Sequence, residues 1–96
     1  MDFEFYFDED LGQTHIEKHS VSELEIFEFF TEITYFERER KDKSFVGIGK
    51  LQSGRYLQII YRKKNPGLYF IITAYDLDDK DAIKFIDKRL DNESHK

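Results

Sequence analysis

Between Arg38 and Arg55 the chain reads RERKDKSFVGIGKLQSGR, six lysines or arginines against two acids in a protein of net charge −5. Concentrated cations of this kind suit phosphate, and the planar guanidinium suits it best. Arg38 and Arg40 stand two apart, so in a strand they project to the same side. Lys50 and Arg55 flank a short Gly-containing stretch, and Arg62 extends the basic set. Tyr56, Tyr61 and Tyr75 lie among or near these cations, and base–aromatic stacking is worth roughly 1–3 kcal/mol per base. The pattern points to RNA contact through Arg38, Lys50, Arg62, Tyr56 and Tyr61. A second reading is open, in which the cations form a solvated edge or pair with the protein's own acids.

The charge distribution permits both. Residues 1–37 carry eleven acids and one base, Lys18, for −10; residues 38–64 carry nine bases and two acids, for +7; residues 65–96 come to −2. Such asymmetry marks a binding face or an acidic layer packed on a basic one.

His15 and His19 are four apart, a spacing that lets both reach one metal from a helix, but HIEKH is not HExxH and no third ligand follows. A structural imidazole is the simpler expectation. The acids Asp8, Glu9 and Asp10 fit a helix N-terminus, where exposed N–H groups attract carboxylates. Cysteine is absent, which excludes disulfides and thiolate metal sites. No cofactor is expected.

Ninety-six residues make one domain. The reading assigns 1–92 to it and 93–96 to a frayed tail. Sixteen Phe and Tyr supply the core, each bringing on the order of 150–250 Å². The FEFYF and IFEFF aromatics are expected inside. No apolar run approaches the roughly 20 residues of a membrane span, and the acidic start does not resemble a signal peptide. A cytoplasmic protein with no membrane partner is the simplest expectation.

The elements that must position these residues follow from periodicity. Phe3 to Phe7 alternates as a short strand, with Phe3, Phe5 and Phe7 on one side. A first helix is predicted over about 9–19, capped by Asp8. Ser22 and Glu25 form a capping box for a second helix, with Val21 and Ile26 as a hydrophobic staple. Leu24, Phe27 and Phe30 are its predicted apolar stripe. Strands are predicted at Ile33 to Arg40, Phe45 to Leu51, Arg55 to Arg62 (central) and Leu68 to Tyr75, with turns at QSG and KNPG. A last helix carries Ala82, Ile83, Ile86 and Leu90 on one stripe. The order β-α-α-β-β-β-β-α implies an α+β domain, an antiparallel meander with helices packed on one face.

This order and several short motifs resemble the BrnT family of toxins from type II toxin–antitoxin systems, ribonucleases of RelE-like fold. KHSVS (Lys18 to Ser22) is similar to the family's Lys-His-Gly-Val-Ser, with Ser20 in the glycine place. Ile48-Gly49 and GRYLQIIY (Gly54 to Tyr61) are similar to its Gly and its Gly-Arg-x-Leu-x-Val-Val-Tyr strand, and FIITAY (Phe70 to Tyr75) to its Arg-Ile-Ile-Ser-Ala-Arg. Asp81 and Phe85 fall where the family has Glu and often Tyr. The chain departs where Phe70 and Tyr75 replace two arginines, and where Lys43 and Ser44 replace Glu-Arg.

The resemblance implies a metal-free RNA endonuclease, in which a 2′-hydroxyl attacks the adjacent phosphate, and a small DNA-binding antitoxin as partner. Such a reaction needs a base, positive donors and an acid. On that reading Arg40 and Arg55 hold the phosphate, Lys18 or His19 transfers protons, and Tyr75 donates a hydrogen bond or stacks. The lost arginines imply weakened cleavage or a site rebuilt from other bases. The alternative is a non-catalytic protein- or RNA-binding module, a degenerate toxin or a homodimeric interaction domain.

Overall fold

A computed structural model describes residues 1–94. The domain is α+β. A five-stranded mixed sheet has the order β1-β7-β6-β5-β4, formed by β1 (Asp2–Phe5), β4 (Tyr35–Glu39), β5 (Phe45–Lys50), β6 (Tyr56–Asn65) and β7 (Leu68–Asp76). The four strands from β4 to β7 are the expected antiparallel meander, with β6 central. The turns form where expected: Gly54 N–H donates to Leu51 O, and Gly54 and Gly67 both take positive φ, which glycine adopts without Cβ strain. The N-terminal strand adds to β7 in parallel, so the sheet is mixed rather than a pure meander.

The predicted helix over 9–19 is replaced by a small hairpin, β2 (Phe7–Asp8) paired with β3 (Gln13–Thr14), and a short helix α1 (His15–Lys18). Asp8 caps a turn rather than a helix, its Oδ1 accepting from the N–H groups of Asp10 and Leu11. Gly12 at φ +68 closes that turn in a conformation a helix does not allow. Thr14 is the true cap, accepting from Glu17 N–H.

The capping box of α2 (Glu23–Thr31) forms as expected: Glu25 N–H donates to Ser22 Oγ, and Ser22 N–H to Glu25 Oε1. Val21 and Ile26, its staple, are both buried. The apolar stripe is displaced from expectation. Ile26, Phe29 and Phe30 are buried, while Leu24 is 82% and Phe27 46% exposed. Phe30 decides this rotation, because its ring meets Phe3, Phe29, Tyr35, Tyr61 and Tyr69 at centroid distances of 4.9–5.5 Å. Tyr6 and Phe7 are also largely exposed, so FEFYF contributes only Phe3 and Phe5 to the core margin. Gly47 and Gly49 let Phe29 approach the sheet. A Cβ on Gly49 would lie 3.0 Å from the Phe29 ring.

Helices cover both faces of the sheet, not one. Leu57, Ile59 and Tyr61 of β6 are buried in the core with α2. On the opposite face α3 (Lys80–Ser94) packs Phe85 against Phe36, 5.2 Å apart, and Asp87 accepts from the Tyr56 hydroxyl. Sheet alternation makes this necessary, since Phe36 and Ile48 lie in one cross-strand row on the face away from α2 and their apolar side chains need cover. Helix α3 continues through residues 93 and 94 of the expected tail, and residues 95 and 96 lie outside the described part. Among the described residues no helix is long and apolar enough to cross a membrane.

Candidate functional site

Three of the sequence-predicted residues, His19, Tyr75 and Arg55, come together where the α1–α2 loop meets the end of β7. His19 closes α1 as its C-cap, and its ring lies 5.7 Å from the Tyr75 ring. Lys18 precedes it and is exposed. Tyr75 stands opposite Gln58 in the β6–β7 register, and Gln58 Nε2 donates to the Tyr75 hydroxyl at 2.7 Å. That hydroxyl keeps its own proton to donate elsewhere.

Arg55 completes the corner, but with its guanidinium directed inward. Its Nε donates to Asp76 at 2.6 Å, Nη1 to Glu25 and to Ser20 O at 3.0 Å, and Nη2 to His19 O at 3.3 Å. Asp76 and then Glu25 hold its proton more firmly than usual. Burial alone would raise the Glu25 carboxyl, yet the Ser22 N–H and Arg55 outweigh it and hold the group below its ordinary range. A guanidinium so engaged is a clamp between α2, the α1–α2 loop and β7. It does not offer a phosphate the open bidentate fork expected of it. Ser20 sits in this clamp at φ +59, a left-handed conformation that suits the glycine of the resembled motif.

Arg40 does not join the corner. Phe36, Ile48, Gln58 and Tyr75 form one row across the sheet by register. Arg40 lies four residues past Phe36 and three strands from Tyr75, a separation on the order of 20 Å. One phosphate cannot bridge that distance.

The basic segment divides between the faces and between the two readings. Arg62 bonds to Asp42, Lys63 to Glu37 at 2.6 Å and Lys64 to Glu4 at 2.9 Å. These cations neutralise the protein's own acids. Among the described residues Arg38, Arg40, Lys41, Lys43 and Lys50 have no ion pair, and Arg38 and Arg40 are exposed. Lys50 lies 5.3 Å from the Tyr56 ring centroid. Tyr56 itself is half-buried under α3, and its bond to Asp87 raises its phenol above the ordinary value. Tyr61 is not a stacking surface for RNA. It is fully buried, stacks on Phe45 and Tyr69, and donates to Glu37.

The histidines diverge. His15 Nε2 lies 3.4 Å from Asp8 Oδ2 and its ring 4.5 Å from Tyr6, while His19 turns to Tyr75. Among the described residues no three His, Asp or Glu side chains are grouped to hold a metal.

Sequence reasoning missed Gln58 and Asp76, the two residues that orient the corner. Gln58 was visible as the one neutral polar residue within YLQIIY. Asp76 carried no signal, since its role depends on β7 ending beside Arg55. Compared with known proteins, the chain matches no family model, no curated protein and no solved structure.

Proposed function

We propose that the chain is a toxin-like, RNA-contacting domain of a two-component toxin–antitoxin system, with a reduced and metal-independent cleaving site at the His19–Tyr75 corner. The observation that supports it is the 5.7 Å approach of two rings from two of the motifs that carry the BrnT resemblance, far apart in sequence. His19 is the proton-transfer group, since one imidazole nitrogen can accept a proton while the other donates. Tyr75 is the donor to a phosphate oxygen, held in place by Gln58. Lys18 supplies nearby positive charge, and Arg38, Arg40 and Lys50 contact more distant phosphates.

The reduction follows from Arg55. With its donors taken by Asp76, Glu25 and two carbonyls, the corner has no preorganised guanidinium for the charge that develops on phosphate. The test is cleavage of an oligoribonucleotide in excess EDTA. Slow cleavage leaving 2′,3′-cyclic phosphate ends, lost in His19→Ala, supports the reading. Binding without cleavage selects the alternative, a binding module.

A further inference from the structure

We propose that the groove between α3 and the sheet is a nucleobase pocket, which seats one base of a single-stranded RNA with its phosphate on Arg38. This rests on the RNA reading above and adds a subsite to it.

The groove has a volume of about 420 Å³, within the roughly 300–1,000 Å³ of small-ligand clefts. Phe36, Val46, Ile48, Ala82 and Phe85 wall it. The rings of Phe36 and Phe85 are 5.2 Å apart and inclined at 76°. A planar base that enters lies flat against one ring and edge-on to the other, both favoured aromatic arrangements. Phe85 is 41% exposed, while the adjacent Ile86 is fully buried.

The polar groups answer a base and its phosphate. Gln58 lines the groove and gives one N–H to Tyr75. Its carbonyl oxygen and second N–H have no hydrogen bond among the described residues, and that donor–acceptor pair matches a base edge. Arg38 lines the same groove without an ion pair. Arg89 lies over the Phe85 ring at 5.2 Å and adds a second cation. Of the two carboxylates of the groove lining, Glu37 is ion-paired and Asp79 is engaged through Oδ1. Glu37 bonds to Tyr61 and Lys63, and Asp79 accepts from the N–H groups of Asp81 and Ala82. An apolar side chain would satisfy the walls but leave Arg38 and Gln58 unanswered.

Position ties the pocket to the corner. Gln58 belongs to both, and the row Phe36–Ile48–Gln58–Tyr75 runs from the groove to His19. One strand can therefore hold a base in the groove while a neighbouring phosphate reaches Tyr75.

The experiment titrates the full chain with a short unstructured oligoribonucleotide and with an abasic strand of equal length. Affinity is read by anisotropy, and the Gln58 amide and Phe85 ring by NMR. The base-bearing strand should bind about tenfold or more tighter than the abasic one, in line with base–aromatic stacking. Phe85→Ala, and Ala82→Phe as a groove-filling variant independent of any loosening of α3, should each remove that advantage, and both NMR signals should shift. Equal binding of the two strands, or unchanged affinity in both variants, would overturn the pocket while leaving the RNA reading standing. Phe85-dependent binding without cleavage would support the pocket and overturn the nuclease reading. No RNA binding at all would overturn the pocket.

Discussion

Arg55 and Asp76 lie 2.6 Å apart, and this pair fixes the end of β7 against the loop that carries His19. The Arg55 side chain is only 24% exposed, and its removal takes a donor from Asp76, Glu25 and two carbonyls. Arg55→Ala should cost about 2–3 kcal/mol, the range for part-buried charge-assisted bonds. Arg55→Lys should recover only part, because one ammonium cannot span four acceptors. Urea denaturation with circular dichroism measures both.

Acid should unfold the domain through its depressed carboxyls. Asp8 is held down first by the Leu11 N–H, Asp42 by Ser44, and Glu25 by Ser22 and Arg55 against its burial. A folded-state pKa below the unfolded one gives stability that is present above the unfolded value and lost as pH falls through the folded one. The urea midpoint should therefore fall as pH drops below the ordinary values of 4.5 for Glu25 and 3.8 for the two aspartates. Glu25→Gln should lower the midpoint at pH 7 and flatten this decline. A midpoint that rises between pH 5 and pH 3 would contradict the assignment. Burial, with Tyr69 and Glu37, pushes the Tyr35 phenol up to about 12. Its sign is opposite: stability is full below the ordinary value of 10 and is lost as pH rises from there toward 12.

Ser20 occupies a left-handed conformation at φ +59. For an L-residue that costs roughly 1–2 kcal/mol. Ser20→Gly should raise stability by up to about 1 kcal/mol, part of the gain being offset by glycine's extra freedom in the unfolded chain. Ser20→Val should lower it. The Arg55 bond to the Ser20 carbonyl needs only backbone, so both variants keep it.

RNA affinity should fall with salt, because phosphate contacts release counterions. With Arg38, Arg40 and Lys50 each touching one phosphate, the slope of log K against log salt should be about −2, at roughly −0.7 per contact on a single strand. Arg38→Ala should reduce that slope by about 0.7. Lys63→Ala should leave it unchanged, since Lys63 serves Glu37. Equal slopes for Arg38→Ala and wild type would place the RNA elsewhere.

Local signals in the sequence located most of the fold. The Ser22–Glu25 box, the QSG and KNPG turns and the four strands of the meander depend on neighbours within a few residues, and all formed. What failed depends on distant partners. Leu24 and Phe27 have helical spacing as good as that of Ile26 and Phe29, and beyond the staple it is distant rings, Tyr35, Tyr61 and Tyr69 among them, that turn the second pair inward. The first helix fails because Asp8 bonds into a turn and Gly12 closes it at a positive φ that a helix does not allow. At the corner, it is the family resemblance that singles out His19 and Tyr75, while the residues alone suggest a structural imidazole; neither indicates the inward direction of Arg55, which follows from Asp76 and Glu25 arriving beside it. Tyr61 looked like Tyr56 in sequence. Strand alternation puts one in the core and the other under α3.

The rate of oligoribonucleotide cleavage in EDTA by wild type, His19→Ala and Tyr75→Arg tests the His19–Tyr75 corner as a cleaving site. A neutral Tyr75 offers one hydrogen bond where a guanidinium offers several, and one preorganised donor to developing charge is worth roughly 10²–10³ in rate. Wild type should cleave slowly, His19→Ala should not cleave measurably, and Tyr75→Arg should be faster than wild type by at least about tenfold. Fast wild-type cleavage indifferent to His19→Ala, or no cleavage by either wild type or Tyr75→Arg, would contradict a reduced ribonuclease site at the His19–Tyr75 corner.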